Sequence, residues 1–472
     1  MSMQPPIPAE LWDQIPPAAQ AAITALVQQY ERQLQALQKQ VNEFEQRLNK
    51  NSTNSSKPPS SEHPHAKPIR RRGKSVRGTG GQPGHTKHQR SLLPTEQCQQ
   101  VIPCVPPTCR RCAAPLSGTD PQPLRHQVWE LPEIKPSVTE YQRHRLICRC
   151  GTVTCGALPA GVPTGQAGPR LIAFSGLLMS CFRQSKRRAA LFMSMILNQP
   201  ACPGWMVSLQ KLAAEAAQPA YDELVRQLRQ QAVLYIDESP TKEGKIKSWI
   251  WTFVAATFTL FATRPSRAAD ILADWLGEAY TGVIHCDRAR MYWSFGRLQW
   301  CWAHLKRDFQ GLIDSRCHTA RRLGRDLMRP TKELFALWQK VRDGTLSRAA
   351  FVEQMKPIRA EVESLLLRGY FNARVHGFCK GLWEHRQNLW TFVEVEGVEP
   401  TNNAAERALR QAVIWRKLSF GTQSAEGSRF VERLLTVVET CWRQQRNVLS
   451  WMVEAVEARL AGKNAPSLLA GL

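Results

Sequence analysis

Two short apolar runs of this chain each deliver an aspartate. "AVLYIDES" carries Asp237, and "GVIHCD" ends in Asp287. Core strands rarely carry a carboxylate unless it faces a solvent-filled cleft or a metal. Adjacent strands would hold the two acids within a few ångströms of each other, and their repulsion then calls for a divalent cation. A third acid, Glu406, sits in "VEPTNNAAERALRQ". Helical spacing puts Asn402, Asn403, Glu406 and Arg410 on one face. Ala404, Ala405 and Ala408 are small enough for that helix to lie close against strands. Two readings stand: Glu406 joins the aspartates, or it pairs with Arg410 one turn on, worth a few tenths of a kcal/mol. Glu238 adjoins Asp237 but points to the opposite face by strand alternation, so it reads as structural.

Other residues could serve the same chemistry. His304, in "CWAHLKRDF", follows a short apolar run and either orients a phosphate or water or is a hydrogen-bonded structural histidine. Lys306 and Arg307 are DNA contacts or a solvated face. Arg407 and Arg410, beside Glu406, are candidate phosphate contacts. Trp415 either meets a flanking base or belongs to the core. A separate centre is suggested by "CRRC" (Cys109, Cys112) and "CRCG" (Cys148, Cys150). Two close thiolate pairs can converge on one tetrahedral Zn²⁺ in a structural role, although the second pair is C-x-C rather than C-x2-C. Cys98, Cys104 and Cys155 are alternative ligands, and buried free cysteines are the alternative reading.

The elements around these residues divide the 472-residue chain into segments. Ile23, Val27, Tyr30, Leu34, Leu37, Val41, Phe44 and Leu48 repeat in steps of four and three, a coiled-coil seam over 1–50 that points to self-association. Residues 51–95 hold almost no large apolar side chain and read as a disordered basic linker. There Arg70, Arg71, Arg72 and Lys74 would track phosphates without reading bases. The cysteine-rich, zinc-binding module spans 96–160 and a helical region 161–230. An α/β core follows over 231–305, its strands including "KSWIWTFVAA", reached through a Glu243-Gly244 turn, and Leu298 to Trp302. "SRAADILADWLGEAY" reads as a helix capped by Ser266. Residues 306–395 form a helical insertion, and 396–472 carry the Glu406 helix and C-terminal helices.

The formal charge of +24 and pI near 9.8 point to a polyanion, double-stranded DNA first. The longest apolar run, Trp249 to Thr263, is shorter than the roughly 20 residues of a spanning helix, so no membrane partner is expected. No secretory signal opens the chain, and the 14 cysteines fit a reduced, cytoplasmic protein.

The order "NSSKPPSS", "GGQPGH", cysteine module, "YIDES", "CWAHLKRDF", "NNAAERALR" resembles the insertion-sequence transposases of the IS66 family across nearly the whole chain. That resemblance implies a ribonuclease-H-like catalytic core within a multidomain α/β protein. It implies a catalytic triad of Asp237, Asp287 and Glu406 holding two Mg²⁺, with Mn²⁺ as a substitute. The reaction would be cleavage of the element's ends and joining to target DNA at the bacterial nucleoid, with accessory transposition proteins as further partners. Two other functions remain: a zinc-containing DNA-binding regulator with an inactive core, and a nuclease of this fold that cuts without joining.

Overall fold

A computed structural model describes residues 8–48 and 90–469. Arg70, Arg71, Arg72 and Lys74 lie outside the described residues. The chain opens with α1 (Ala9–Trp12) and α2 (Pro17–Leu48). Pro17 suits the first turn of α2, where its missing N–H is no loss. Tyr30, Leu34, Leu37, Val41 and Phe44 are all more than half exposed along α2.

In the cysteine-rich stretch, β1 (Arg145–Ile147) and β2 (Val153–Cys155) form an antiparallel pair. Both strands are exposed at every position. Helices α3 (Pro169–Met179), α4 (Lys186–Ile196) and α5 (Pro203–Leu228) come next and begin the buried core.

The sheet region contains β3 (Val233–Glu243), β4 (Ile246–Val254), β5 (Thr259–Arg264), α6 (Ala269–Leu276), β6 (Val283–Cys286) and β7 (Leu298–Trp300). The sheet order is β5-β4-β3-β6-β7. β4 runs antiparallel to both its neighbours, while β3, β6 and β7 are parallel. Gly244, at φ 57°, makes the tight β3–β4 turn. Ser266 does not cap α6: the N-cap is Ala268, and the Ser266 hydroxyl accepts the Ala268 N–H at 3.0 Å in the turn before it.

Between β7 and the Glu406 helix lie α7 (Trp302–Ile313), α8 (His318–Arg342), α9 (Arg348–Tyr370), α10 (His376–Glu384) and α11 (Thr391–Glu394). They enclose their own aromatic cluster, in which Trp338 meets Phe351 and Phe392 edge-on. The chain ends in α12 (Asn403–Ser419), α13 (Ala425–Arg443) and α14 (Val448–Leu460).

Helix α12 packs on β3 and β4, and α13 on β5. The edge strand β5 would leave alternate N–H groups unpaired. Side chains one turn apart on α13 take them: Thr440 Oγ1 accepts from Thr259 N at 3.1 Å, Thr436 Oγ1 from Phe261 N at 3.0 Å, and Glu432 from Thr263 N. A polar stripe at positions 432, 436 and 440 is therefore buried because it finishes a sheet edge. Gly421, at φ 99°, lets the segment after α12 approach the β3–β4 hairpin, since a Cβ there would lie 2.5 Å from Lys242 O.

Candidate active site

The parallel register of β3 and β6 pairs Val233 with Val283, Leu234 with Ile284 and Tyr235 with His285. Two residues beyond the last pair, Tyr235 with His285, stand Asp237 on β3 and Asp287 just past β6. Asp237 lies near the middle of its strand rather than at or near its C-terminal end. β3 continues to Glu243 because antiparallel β4 holds it as a hairpin after β6 has stopped. Asp287 lies one residue past the end of β6. Its Oδ1 accepts the Ala289 N–H at 2.8 Å, which turns the chain out of the sheet. The aspartates thus flank a notch that opens where the parallel ladder ends, the usual ligand position in such sheets.

Glu406 reaches this notch because the start of α12 is fastened to the sheet. Asn402, 1% exposed, donates its side-chain Nδ2–H to Ile236 O at 2.7 Å and its backbone N–H to Cys301 Sγ at 3.1 Å. Just upstream, the ring of His285 stacks on Tyr235, with centroids 5.0 Å apart. His285 Nε2 lies 2.8 Å from Glu399 O, and the Tyr235 hydroxyl accepts the Glu399 N–H at 3.2 Å. Trp302 N donates to Pro400 O at 2.9 Å. Ala405 and Ala408 are buried, so small side chains do let the helix approach.

The charges of the three acids feel one another. Burial pushes the Asp237 carboxyl well above the usual range, and the charges of Glu238, Asp287 and Glu406 add to it. Asp287 is raised by burial, against the Ala289 N–H and the positive charges of Arg267, Arg288 and Arg307. Glu406 is raised by burial and by Asp287, against Arg307. Burial is the largest cause for each acid, with the charges of the neighbouring acids adding to it at Asp237 and Glu406. The donor set is all oxygen, and Glu406 Oε1 is buried without a hydrogen-bond partner. On both grounds the residues fit Mg²⁺. The ligand atoms of the three acids do not all fall within 4.8 Å of one another; among the described residues the group that does is Cys301, His304 and Glu406.

His304, in the first turn of α7, places Nδ1 3.5 Å from Glu406 Oε1. Burial, helped by Arg307 and Arg288, pushes the imidazole down to about 4. The ring is therefore neutral near pH 7, and the contact is not an ion pair. Glu406 makes no ion pair with Arg410 among the described residues; Arg407 and Arg410 are both exposed on α12. The arginine whose charge reaches Asp287 and Glu406 is Arg307. Glu238 follows Asp237 on β3; its charge bears on Asp237, and that of Asp287 bears on it. The Tyr292 hydroxyl donates to it at 2.7 Å and Arg267 lies 3.6 Å away, while burial and Asp287 push it up to about 7. Trp415 is packed partly buried against the core.

The cysteine stretch forms two separate knuckles. Ala113 N donates to Cys109 O at 2.9 Å, and hydrogen bonds from Cys112 and Arg111 hold the Cys109 thiol below its usual range. Gly151 N donates to Cys148 O at 2.8 Å, and Thr152, with Cys148, holds Cys150 down to about 7. The four sulfurs are not gathered into one cluster.

Residues 8–91 match a family of unknown function. The chain is 23% identical over 404 residues to the uncharacterized protein y4qI of Sinorhizobium fredii (strain NBRC 101917 / NGR234), covering 76% of this chain and 72% of that one. Residues 165–429 match the family described as "Transposase IS66 family". This match spans α3 through the start of α13 and includes Asp237, Asp287, His304 and Glu406. It covers more than half of the chain, which therefore belongs to the IS66 family of transposases, enzymes that act on DNA.

Proposed function

We propose that this protein cuts the ends of its own insertion sequence and joins them to target DNA, using Asp237, Asp287 and Glu406 on a ribonuclease-H-like core. The observation that supports this reading is that Asp237 and Asp287 each follow the last β3–β6 pair by two residues, while Asn402 ties the start of the Glu406 helix to β3. The five-stranded order with only β4 reversed is the arrangement expected of such a core. When bound, two Mg²⁺, or Mn²⁺ in their place, supply an activated water or 3′-hydroxyl and stabilise the leaving oxygen of an in-line displacement. The chain's own part is to hold the three carboxylates open to the notch and to place cations around the scissile phosphate. Arg307 is the arginine whose charge reaches both Asp287 and Glu406, and His304 orients a phosphate or water. Arg407 and Arg410 contact the backbone from the exposed face of α12.

The remaining segments serve DNA handling in the same proposal. The pairs Cys109–Cys112 and Cys148–Cys150 close on one structural Zn²⁺. Arg70, Arg71, Arg72 and Lys74 track phosphates. The protein works at the bacterial nucleoid with accessory transposition proteins. The exposed stripe of α2 pairs with a second copy as a coiled coil. Polar replacement of Leu34 and Leu37 together removes roughly 1.5–3 kcal/mol of burial each. Sedimentation should then show a smaller particle; an unchanged mass would contradict the pairing.

The test uses purified chain, Mg²⁺ and duplex DNA bearing the element's ends. Cleavage at the ends followed by joint molecules with target DNA is expected. Binding without cleavage would indicate a regulator with an inactive core, and cleavage without joining a nuclease.

A further inference from the structure

Cys301, His304 and Glu406 bring sulfur, nitrogen and oxygen ligand atoms within 4.8 Å of one another. His304 Nδ1 and Glu406 Oε1 are both buried and neither has a hydrogen-bond partner. Two orphaned polar atoms facing each other in a buried place are costly unless a third party sits between them. Their separation, 3.5 Å, is long for a hydrogen bond. It is close to the edge of a tetrahedron, roughly 3.3–3.5 Å for two ligands each about 2.0–2.1 Å from one ion. Cys301 and His304 are three apart, at the N-cap and in the first turn of α7, and Glu406 arrives from the first turn of α12. Cys301 Sγ already accepts the Asn402 N–H at 3.1 Å, the kind of outer contact that fixes a ligating sulfur. A thiol, an imidazole and one carboxylate form a softer set than the three acids. Such a set favours Zn²⁺ over Mg²⁺, with a fourth position left for water.

We propose that Cys301, His304 and Glu406 form a Zn²⁺ site, and that its filling withdraws Glu406 from the aspartates and stops Mg²⁺-dependent cleavage. This centre shares no ligand with the Cys109–Cys150 module. On binding, the Cys301 thiol gives up its proton to solvent and its lone pair to the ion, with no change of oxidation state. The inhibitory half rests on Glu406 as the third acid; the binding half does not.

The experiment compares full-length wild type with Cys301→Ser, both washed with chelator. Serine keeps an acceptor for the Asn402 N–H but is a poor zinc ligand. Zinc bound per chain should fall by one in the variant. The Zn²⁺ concentration that halves Mg²⁺-dependent end cleavage should rise at least about tenfold. Inhibition is read in each protein as a fraction of its own zinc-free cleavage rate. Equal zinc content in the two proteins overturns the site, and equal inhibition overturns the switch. If the serine variant does not melt like wild type, the wild-type chain gives a second reading. Cd²⁺, which seeks thiolate, should inhibit at lower concentration than Zn²⁺; no such gain also overturns the site. Glu406→Gln that still cleaves would remove the triad reading and the switch, yet the zinc count in Cys301→Ser would still judge the site.

Discussion

Leu124, Val128 and Val138 stand 81 to 103% exposed in the cysteine-rich stretch, while Trp251, Trp300 and Trp302 of the following region are at most 1% exposed. Not one residue from 90 to 166 is buried. The sheet region derives its shape from apolar burial and from side chains that finish backbone pairing, such as the α13 stripe along β5. The cysteine stretch has no apolar burial, and its side-chain ties to backbone are few and outside any core: Gln127 accepts the Leu93 N–H and donates to Leu93 O, each at 2.9 Å. A small segment without a core needs a staple, and its two thiol knuckles are the groups able to provide one. The same chain therefore carries one region that holds its functional groups by packing and one that, in the proposal above, holds its shape by ligation.

The largest effect should come from metal removal. If Zn²⁺ organises the cysteine stretch, it supplies on the order of 10 kcal/mol to that segment. Chelation should make residues 90–164 sensitive to limited proteolysis while 165–469 stays resistant. Resistance that persists in chelator, or purified protein without zinc, would break the comparison on this side.

A core truncation should come next. Trp302 is fully buried, donates Nε1–H to Leu389 O at 2.8 Å and lies 5.2 Å from the Trp390 ring. Trp302→Ala should cost about 3–5 kcal/mol by denaturant unfolding. Val138→Ala should cost under about 0.5 kcal/mol. Similar losses at the two positions would mean that the cysteine stretch has a core of its own.

A smaller effect should appear in pH dependence. Burial pushes Glu439, on α13, up to about 7 despite Arg443 and Arg183, and its Oε1 has no hydrogen-bond partner. The folded state thus holds this proton more tightly than the unfolded chain, whose glutamates titrate near 4.3. The contribution to stability is full below that value and is lost as pH rises through about 7. Glu439→Gln should remove that part of the slope and stabilise the core at pH 8 by up to about 3 kcal/mol. Unfolding midpoints at pH 5 and 8 check the sign; a variant less stable than wild type at pH 8 would reverse it.

Asp237, Asp287 and Glu406 were legible because short apolar runs and a small-residue helix are local patterns. Their alignment was less so. That Asp237 lies mid-strand follows from the β4 hairpin outlasting β6, a matter of pairing length rather than residue type. Arg307 could not be told from a solvated arginine, because its worth depends on which helix face meets the notch. The clasp of Tyr235, His285 and Glu399 O joins residues more than a hundred positions apart and uses a main-chain carbonyl, which leaves no motif. Cys301 was read only as part of "CWAH"; its approach to Glu406 comes from Asn402 bonding its sulfur. The two asparagines were visible as polar residues before a helix, but that Asn402 is a buried tie and Asn403 an exposed neighbour required the fold.

The most direct test of the account is Glu406→Gln, assayed for Mg²⁺-dependent cleavage and joining of element-end DNA. Glutamine keeps the size and helix preference of the residue but removes the charge that the cation needs. Activity should fall by roughly a thousandfold or more, and Asp237→Asn and Asp287→Asn should match it without adding to it. Melting should shift little and binding of end DNA should persist. Near-normal strand transfer by Glu406→Gln would contradict the triad.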